Sequence, residues 1–219
     1  LIANLFREND RENVVFFASG VSNSLETDKS AFLREENLIR KTIKENPNKI
    51  FIYFSTCSIY DSSKNGSSYV NHKLKMEQIV EELANQFLIL RVSNAVGKGG
   101  NPNLLMNYLV NAFHQEKEIT VHTLATRNLI DADDIKNITL KFINENSFNK
   151  IINVAYLENF STIQILEILE KHFNKTAKTS LVKSGQSYLI SIPEAEAYFA
   201  ENKLTEKKEY LLRIIKRYY

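Results

Sequence analysis

Short unbroken runs of apolar residues alternate with longer segments that are apolar on one side only. Four runs predict strands buried on both faces: Asn13–Ala18, Ile50–Phe54, Phe87–Val92 and Ile151–Ala155. Three segments with helical spacing predict amphipathic helices: Lys29–Glu45, Tyr69–Leu83 and Ser161–Phe173. This alternation predicts an α/β fold, a Rossmann-like doubly wound parallel sheet with helices on both faces. The carboxyl ends of its strands form one rim, where ligands of such sheets bind.

The pattern is more mixed after residue 96. It predicts helices over Asn103–Gln115, Asp133–Asn144 and Glu206–Arg217, and short strands over Ile119–His122 and Thr179–Lys183. The run at 151–155 is expected to return one strand to the main sheet. We interpret residues 1–219 as a single domain, in which 97–219 form mainly a small C-terminal lobe.

Composition excludes several classes of protein. The net charge of +2 implies no nucleic-acid partner, and Cys57 is the only cysteine, which excludes a disulfide framework and favours a reducing, cytoplasmic setting. No apolar run approaches the roughly 20 residues that span a bilayer, so no membrane partner is expected. The start of the chain lacks the basic flank of a signal peptide. Asp133 and Asp134 are interpreted as helix-start residues, and no metal site is predicted.

The candidate chemistry lies between the second strand and the helix that follows it. Thr56 ends the strand, Tyr69 begins the helix, and Lys73 lies one turn further along the same face. A nearby ammonium is expected to lower the pKa of the phenol, which makes it a general acid or base for an alcohol or ketone. Tyr60 and Lys64 have the same spacing, but they lie in a polar loop where helical spacing has no meaning.

These residues resemble the extended short-chain dehydrogenases, the family of NAD(P)-dependent nucleotide-sugar epimerases and dehydratases. Five stretches match in order over about residues 1–175: Val15–Gly20, Ser55–Tyr60 with Tyr69–Lys73, Leu90–Gly97, Arg127–Asp134, and Ile152–Ala155 with Ser161. The resemblance implies a catalytic Thr56, Tyr69 and Lys73, and NAD or NADP as cofactor. It places the cofactor at Leu1, Ile2, Ala18, Ser19, Gly20, Lys73, Val92 and Ser93, and a nucleotide-sugar substrate at Asn94 and Arg127. In this interpretation residues 1–96 are mainly the cofactor-binding core and 97–219 mainly the substrate lobe. The resemblance also implies a homodimer through Tyr69–Leu83.

The chain departs from the family pattern in two places. The glycine-rich turn that meets the cofactor pyrophosphate is absent, as is the acidic residue that binds the adenosine ribose. We expect the first strand and turn to be missing from the chain, because the helix over residues 1–9 begins abruptly. The short spacings are similar to a compact subgroup, the reductase domains of capsular and surface-polysaccharide synthesis. NAD and NADP remain equally open.

Cys57 and Ser58 follow the catalytic threonine, where the sugar 4,6-dehydratases carry Asp and Glu. Dehydration is therefore disfavoured, and both ketone reduction and epimerisation at C4 of the sugar remain open. The alternative is a catalytically degenerate dinucleotide-binding protein that acts as a sensor or scaffold.

Overall fold

A computed structural model describes residues 1–9, 11–100, 102 and 104–219. The helices are α1 (Ile2–Leu5), α2 (Lys29–Glu45), α3 (Ser68–Leu83), α4 (Leu105–His114), α5 (Ala132–Asn144), α6 (Thr162–Phe173), α7 (Pro193–Glu201) and α8 (Lys207–Tyr218). The strands are β1 (Val14–Phe17), β2 (Ile50–Thr56), β3 (Gln86–Val92), β4 (Asn94–Val96), β5 (Ile119–His122), β6 (Thr126–Arg127), β7 (Leu129–Asp131), β8 (Lys150–Val154), β9 (Phe160–Ser161) and β10 (Thr179–Val182).

The main sheet is parallel, with the strand order β1-β2-β3-β8. Val14 pairs with Ile50, Ile50 with Gln86, and Leu88 with Lys150, so the four strands end along one edge. The predicted return of residues 151–155 to the sheet is confirmed. Across this sheet, each strand lies on the same side of the strand that precedes it in the chain. A doubly wound sheet instead reverses this order at its middle, and that reversal does not occur among the described residues.

Strand β2 shows why the run Ile50–Phe54 is apolar. All seven of its residues are buried, because helices cover both faces of the sheet. Phe51 and Tyr53 point into a core with α2 and α3, whereas Ile52 and Phe54 point into a larger core on the other face. That larger core continues without interruption into α4, α5, α6 and α8.

The N-terminal segment is anchored by one aromatic side chain. Helix α1 is only four residues long, and a single tight turn over Arg7–Asn9 follows it. Phe6 is 4% exposed and stacks on Phe16, with 4.3 Å between the ring centroids. This contact fixes α1 beside the carboxyl edge of the sheet.

The second half forms three small sheets: β5 with β10 and β4 with β7, both parallel, and β6 with β9, antiparallel. The other predicted helices and strands are present with ends shifted by no more than two residues, and Asn103, the predicted start of α4, lies outside the described residues. The helix predicted over residues 1–9 is wrong in its extent, because α1 ends at Leu5 and Arg7–Asn9 form a separate tight turn. Pattern alone missed α7 and the two- and three-residue strands. In the described part of the chain, no helix is both long and apolar enough to cross a membrane.

Candidate active site

A cavity of about 320 Å³ opens at the carboxyl ends of β1, β2 and β3. Its walls come from the segments that leave these strands, from the start of α1 and from α3. Of the residues predicted for the site, ten line it: Leu1, Ile2, Ala18, Gly20, Thr56, Tyr69, Lys73, Val92, Ser93 and Asn94. Ser19 and Arg127 do not belong to the lining. Tyr188 does, and no motif pointed to it, because it lies in an irregular segment before α7.

Local hydrogen bonds fix Thr56 and Tyr69 at the cavity wall. The hydroxyl of Thr56 accepts the Ser58 N–H at 3.0 Å and so caps the turn after β2. The hydroxyl of Ser67 caps α3 by accepting the Val70 N–H, which places Tyr69 in the first turn of that helix. Thr56 and Tyr69 both line the cavity and are 6% and 7% exposed. The two predicted proton-handling groups are therefore brought together.

Lys73 lies at the cavity wall but makes its polar contacts behind it. Its Nζ is 3.1 Å from Glu35 Oε1 and donates to the Tyr53 hydroxyl at 2.8 Å. Glu35, from α2, is fully buried and also accepts the Val21 N–H at 2.7 Å. His72 Nε2 lies 2.9 Å from the same carboxylate. Neither Glu35 nor Tyr53 belongs to a motif, so the sequence carried no signal that would have singled them out.

These surroundings correct one expectation. Burial raises the pKa of Tyr69 to about 12, against a smaller lowering by the hydrogen bond with Thr56. Lys73 does not contribute to the shift, because its ammonium is engaged by Glu35. Burial lowers the pKa of Lys73, an effect that Glu35 opposes. The predicted lowering of the phenol pKa by Lys73 is therefore wrong, and Tyr69 is a neutral phenol at neutral pH.

Burial by itself raises the pKa of Glu35, but the hydrogen bonds and the positive charge around the carboxylate lower it by more. The hydrogen bond with His72, the charge of Lys73, and the bonds from Val21 and Tyr53 together lower this pKa to about 2. Glu35 is thus an ionised carboxylate in a site with no exposure to solvent.

Gly20 allows the loop after β1 to lie directly on this ion pair. A Cβ atom at residue 20 would be 2.6 Å from Glu35 Oε1 and 3.0 Å from Lys73 Nζ. The loop therefore reaches the cavity only because residue 20 has no side chain.

The segment after β3 is held by an amide that sequence reasoning missed. Asn128, 2% exposed, accepts the Ser93 hydroxyl at 2.8 Å, and its backbone carbonyl accepts the Asn94 amide at 2.8 Å. Its side chain also donates to the Tyr156 carbonyl. Asn128 thereby joins two of the predicted site residues to the segment after β8.

Arg127 lies in β6, and its guanidinium donates to the Thr126 carbonyl at 2.8 Å and the Gln186 carbonyl at 3.4 Å. It contacts the irregular segment that carries Tyr188. Its predicted role with a substrate diphosphate stays a prediction.

A second buried carboxylate lies on the next turn of α3. Glu77 receives a two-point contact from Arg91, with Nη2 at 2.6 Å from Oε2 and Nε at 3.0 Å from Oε1. The Ser55 hydroxyl donates to the same carboxylate. This pair ties the end of β3 to the helix that carries Tyr69 and Lys73.

The cavity wall mixes apolar and polar side chains, and its described polar groups are not acidic. Among its described lining residues are hydroxyls, amides, one ammonium and two phenols, but no Asp or Glu. Cys57 is 1% exposed, and burial raises the pKa of its thiol to about 12, so it is not a nucleophile. Asp131 rather than Asp133 caps α5, and Asp134 accepts from Tyr198, Tyr210 and Arg213. The described residues contain no group of three or more His, Cys, Asp or Glu placed to hold a metal ion.

The walls fit the nicotinamide end of a dinucleotide. The small side chains of Ala18, Gly20 and Ser93 leave a slot along the strand ends, and Lys73 offers a cation beside it. The volume of about 320 Å³ lies in the range of small-molecule sites.

The model of the NAD dependent epimerase/dehydratase family matches residues 2–155, more than half of the chain. The chain belongs to the NAD-dependent epimerase/dehydratase family. The predicted family is therefore confirmed. No curated protein sequence matches the chain.

Solved structures share the fold of this family member at low sequence identity. UDP-glucuronic acid 4-epimerase from Bacillus cereus, in complex with UDP-glucuronic acid and NAD, superposes with a TM-score of 0.72 at 18% identity, over 97% of this chain and 78% of that one. dTDP-glucose 4,6-dehydratase from Bacillus anthracis, in complex with NAD, has a TM-score of 0.67 at 15% identity, over 99% and 77%. RMD from Pseudomonas aeruginosa, complexed with NADPH, has a TM-score of 0.70 at 12% identity, over 94% and 80%.

Proteins of this family and fold thus bind NAD or NADPH, in agreement with the cofactor that the sequence predicted. The parallel sheet is the Rossmann-like core of an epimerase fold.

Proposed function

We propose that this chain is an NAD(P)-dependent oxidoreductase or epimerase that acts at C4 of a nucleotide-linked sugar. The observation that carries the proposal is the cavity wall: Thr56, Tyr69 and Lys73 all line it, and its described lining residues include no carboxylate. The family membership supplies the reaction type, and the resemblance to compact reductase domains points to surface-polysaccharide synthesis.

Tyr69 is the proton donor to the sugar oxygen in this proposal. Its raised pKa keeps the phenol protonated, which suits the reduction of a C4 ketone, because the phenol donates its proton to the sugar oxygen. In the oxidation direction the proton of the C4 hydroxyl passes back to the phenolate oxygen of Tyr69. Thr56, on the same cavity wall, offers a second hydroxyl for orienting the sugar oxygen. Lys73, Gly20 and Ser93 would hold the nicotinamide, which would supply or accept the hydride when bound.

The proposal excludes dehydration, because the described lining of the cavity contains no carboxylate. Elimination of water from a sugar needs an acid and a base besides the phenol, and the two positions after Thr56 carry a buried thiol and a hydroxyl. Glu35 cannot serve, because it is fully buried behind Lys73 and does not line the cavity.

The deciding experiment is a turnover screen of the purified chain. It is incubated with NADH or NADPH and a panel of 4-keto nucleotide sugars, and with NAD and the corresponding 4-hydroxy sugars, and the products are separated by chromatography. A reduced or C4-inverted product supports the proposal. Tight cofactor binding without turnover would instead favour a dinucleotide-binding sensor or scaffold.

Tyr69→Phe is the matched variant. It is expected to lose about 10²- to 10⁴-fold in kcat with little change in cofactor affinity, because only the transferable proton is removed. Tyr60→Phe is the control: it has the same spacing to a lysine, but its hydroxyl bonds to Asn153 outside the cavity lining. Full turnover by Tyr69→Phe would refute the assignment.

The predictions on oligomeric state, on two further site residues and on the division of the chain belong to the same proposal. The homodimer through α3, the roles of Ser19 and Arg127, and the division into core and substrate lobe stay predictions. Sedimentation of the chain tests the first, and the substrate affinity of Arg127→Ala tests the role of that residue.

A further inference from the structure

We propose that Glu35 is a positioning residue that holds the Lys73 ammonium charged and in place beneath the cavity, and so sets the alkaline limit of the reaction. This inference rests on the proposed function for its catalytic consequence, and its physical basis is the contact of Lys73 with a residue outside the predicted motifs.

The contacts of Glu35 converge on the cavity from three elements. Its carboxylate, on α2, receives the Tyr53 hydroxyl of β2 at 2.7 Å, Lys73 of α3 at 3.1 Å, and the Val21 N–H of the cavity loop at 2.7 Å. A single side chain therefore joins the loop that lines the slot to the ammonium that faces it. Displacing this carboxylate would move both.

Among the described residues, Glu35 is the one carboxylate that pairs with Lys73. The Lys73 side chain is 3% exposed. The other buried carboxylate of α3, Glu77, is paired with Arg91. The ammonium also lies over the Tyr53 ring, at 4.7 Å from the centroid, a contact that favours its charged form.

The titratable groups that face the Glu35–Lys73 pair are few. They are Tyr53 from β2, and Tyr69, His72 and Glu77 from α3. The loop after β1 contributes only the backbone amide of Val21. Burial lowers the pKa of Lys73, and Glu35 is the largest influence that opposes this lowering. Without the carboxylate the ammonium loses its proton at a lower pH.

A purely structural role is a poor explanation for this pair. Apolar side chains of the same volume often stabilise a fold as well as a buried ion pair does, because desolvation offsets the attraction between the charges. The pair lies directly behind the slot, where Gly20 leaves no space between it and the cavity loop. Glu35 therefore lies where its negative charge stabilises the charged form of Lys73 beside the slot.

The test measures the charge on Lys73 directly. The chain is labelled with ¹³Cε-lysine, the Lys73 signal is assigned by its loss in Lys73→Met, and the signal is followed against pH. Glu35→Gln is expected to lower the Lys73 midpoint by at least about one pH unit. Glu35→Asp keeps the charge and is expected to restore part of the shift. Glu36→Gln removes a neighbouring carboxylate that pairs with Arg40 and Lys75, and is expected to change nothing.

The pH profile of kcat/KM tests the effect of Glu35 on the reaction. The alkaline limb of Glu35→Gln is expected to move to lower pH by the same amount as the Lys73 midpoint. An unchanged Lys73 midpoint, or a loss of thermal stability with an unmoved pH profile, would overturn the inference. If the wild-type chain turns over no sugar nucleotide, the proposed function fails, while the Lys73 titration still decides the role of Glu35.

A double variant keeps the test informative if Glu35→Gln does not fold. Glu35→Gln with Lys73→Met removes both charges, so it is expected to regain the stability that the single variant loses. Failure of the double variant to regain any stability would show that Glu35 acts on the fold and not on Lys73, and would overturn the inference.

Discussion

Replacing Gly20 by alanine tests the close contact between the cavity loop and the buried ion pair. The added Cβ would be 2.6 Å from Glu35 Oε1, whereas ordinary contact begins at 3.4 Å, an overlap of 3.4 − 2.6 = 0.8 Å. The carboxylate cannot retreat without weakening its bonds to Tyr53 and Lys73. Overpacking of this kind costs about 1–3 kcal/mol. At about 2–4 °C per kcal/mol for a chain of this size, Tm is expected to fall by about 2–12 °C.

The assays are thermal unfolding for Tm and urea-induced unfolding for the unfolding free energy, both followed by circular dichroism, with Ser19→Ala as the matched control. Ser19 is the exposed neighbour of Gly20, and its substitution is expected to change stability by no more than about 0.5 kcal/mol. Gly20→Ala is also expected to weaken cofactor binding, because the loop must move away from the slot. If Gly20→Ala were as stable as Ser19→Ala, the packing argument would be refuted.

Three further predictions concern the stability of the fold. Because the folded pKa of Glu35, about 2, lies below its ordinary 4.5, its ionisation contributes about 3 kcal/mol above pH 4.5, and this contribution is lost as the pH falls towards 2. The difference in unfolding free energy between wild type and Glu35→Gln should therefore shrink by about 2 kcal/mol between pH 6 and pH 3, and a constant difference would contradict the lowered pKa. Glu77→Ala leaves the half-buried Arg91 unpaired and is expected to cost about 2–4 kcal/mol in urea unfolding, whereas a loss below about 0.5 kcal/mol would show that the pair adds nothing. Ser161→Ala removes one half of the capping box of α6 and is expected to cost about 1 kcal/mol, with Ser180→Ala on β10 as a control outside any helix cap.

Much of the fold was predictable because its signals are local. A strand covered on both faces is expected to be mostly apolar, and Ile50–Phe54 of β2 fits this, with Ser55 and Thr56 only at its carboxyl end. A helix start needs a cap, and Ser161 provides one. The two-residue strands β6 and β9 escaped prediction, since segments so short have no periodicity to detect.

The candidate site was likewise predictable only in those parts that consecutive residues form. The sequence by itself determined that Thr56, Tyr69 and Lys73 follow one buried strand, because the strand, the loop and the helix are consecutive. Only the tertiary structure decided what surrounds them. Glu35 is 38 residues from Lys73 along the chain, and Tyr53 reaches both of them from the sheet. Burial and that carboxylate, neither visible in a local pattern, raise the phenol pKa that spacing alone had predicted to fall.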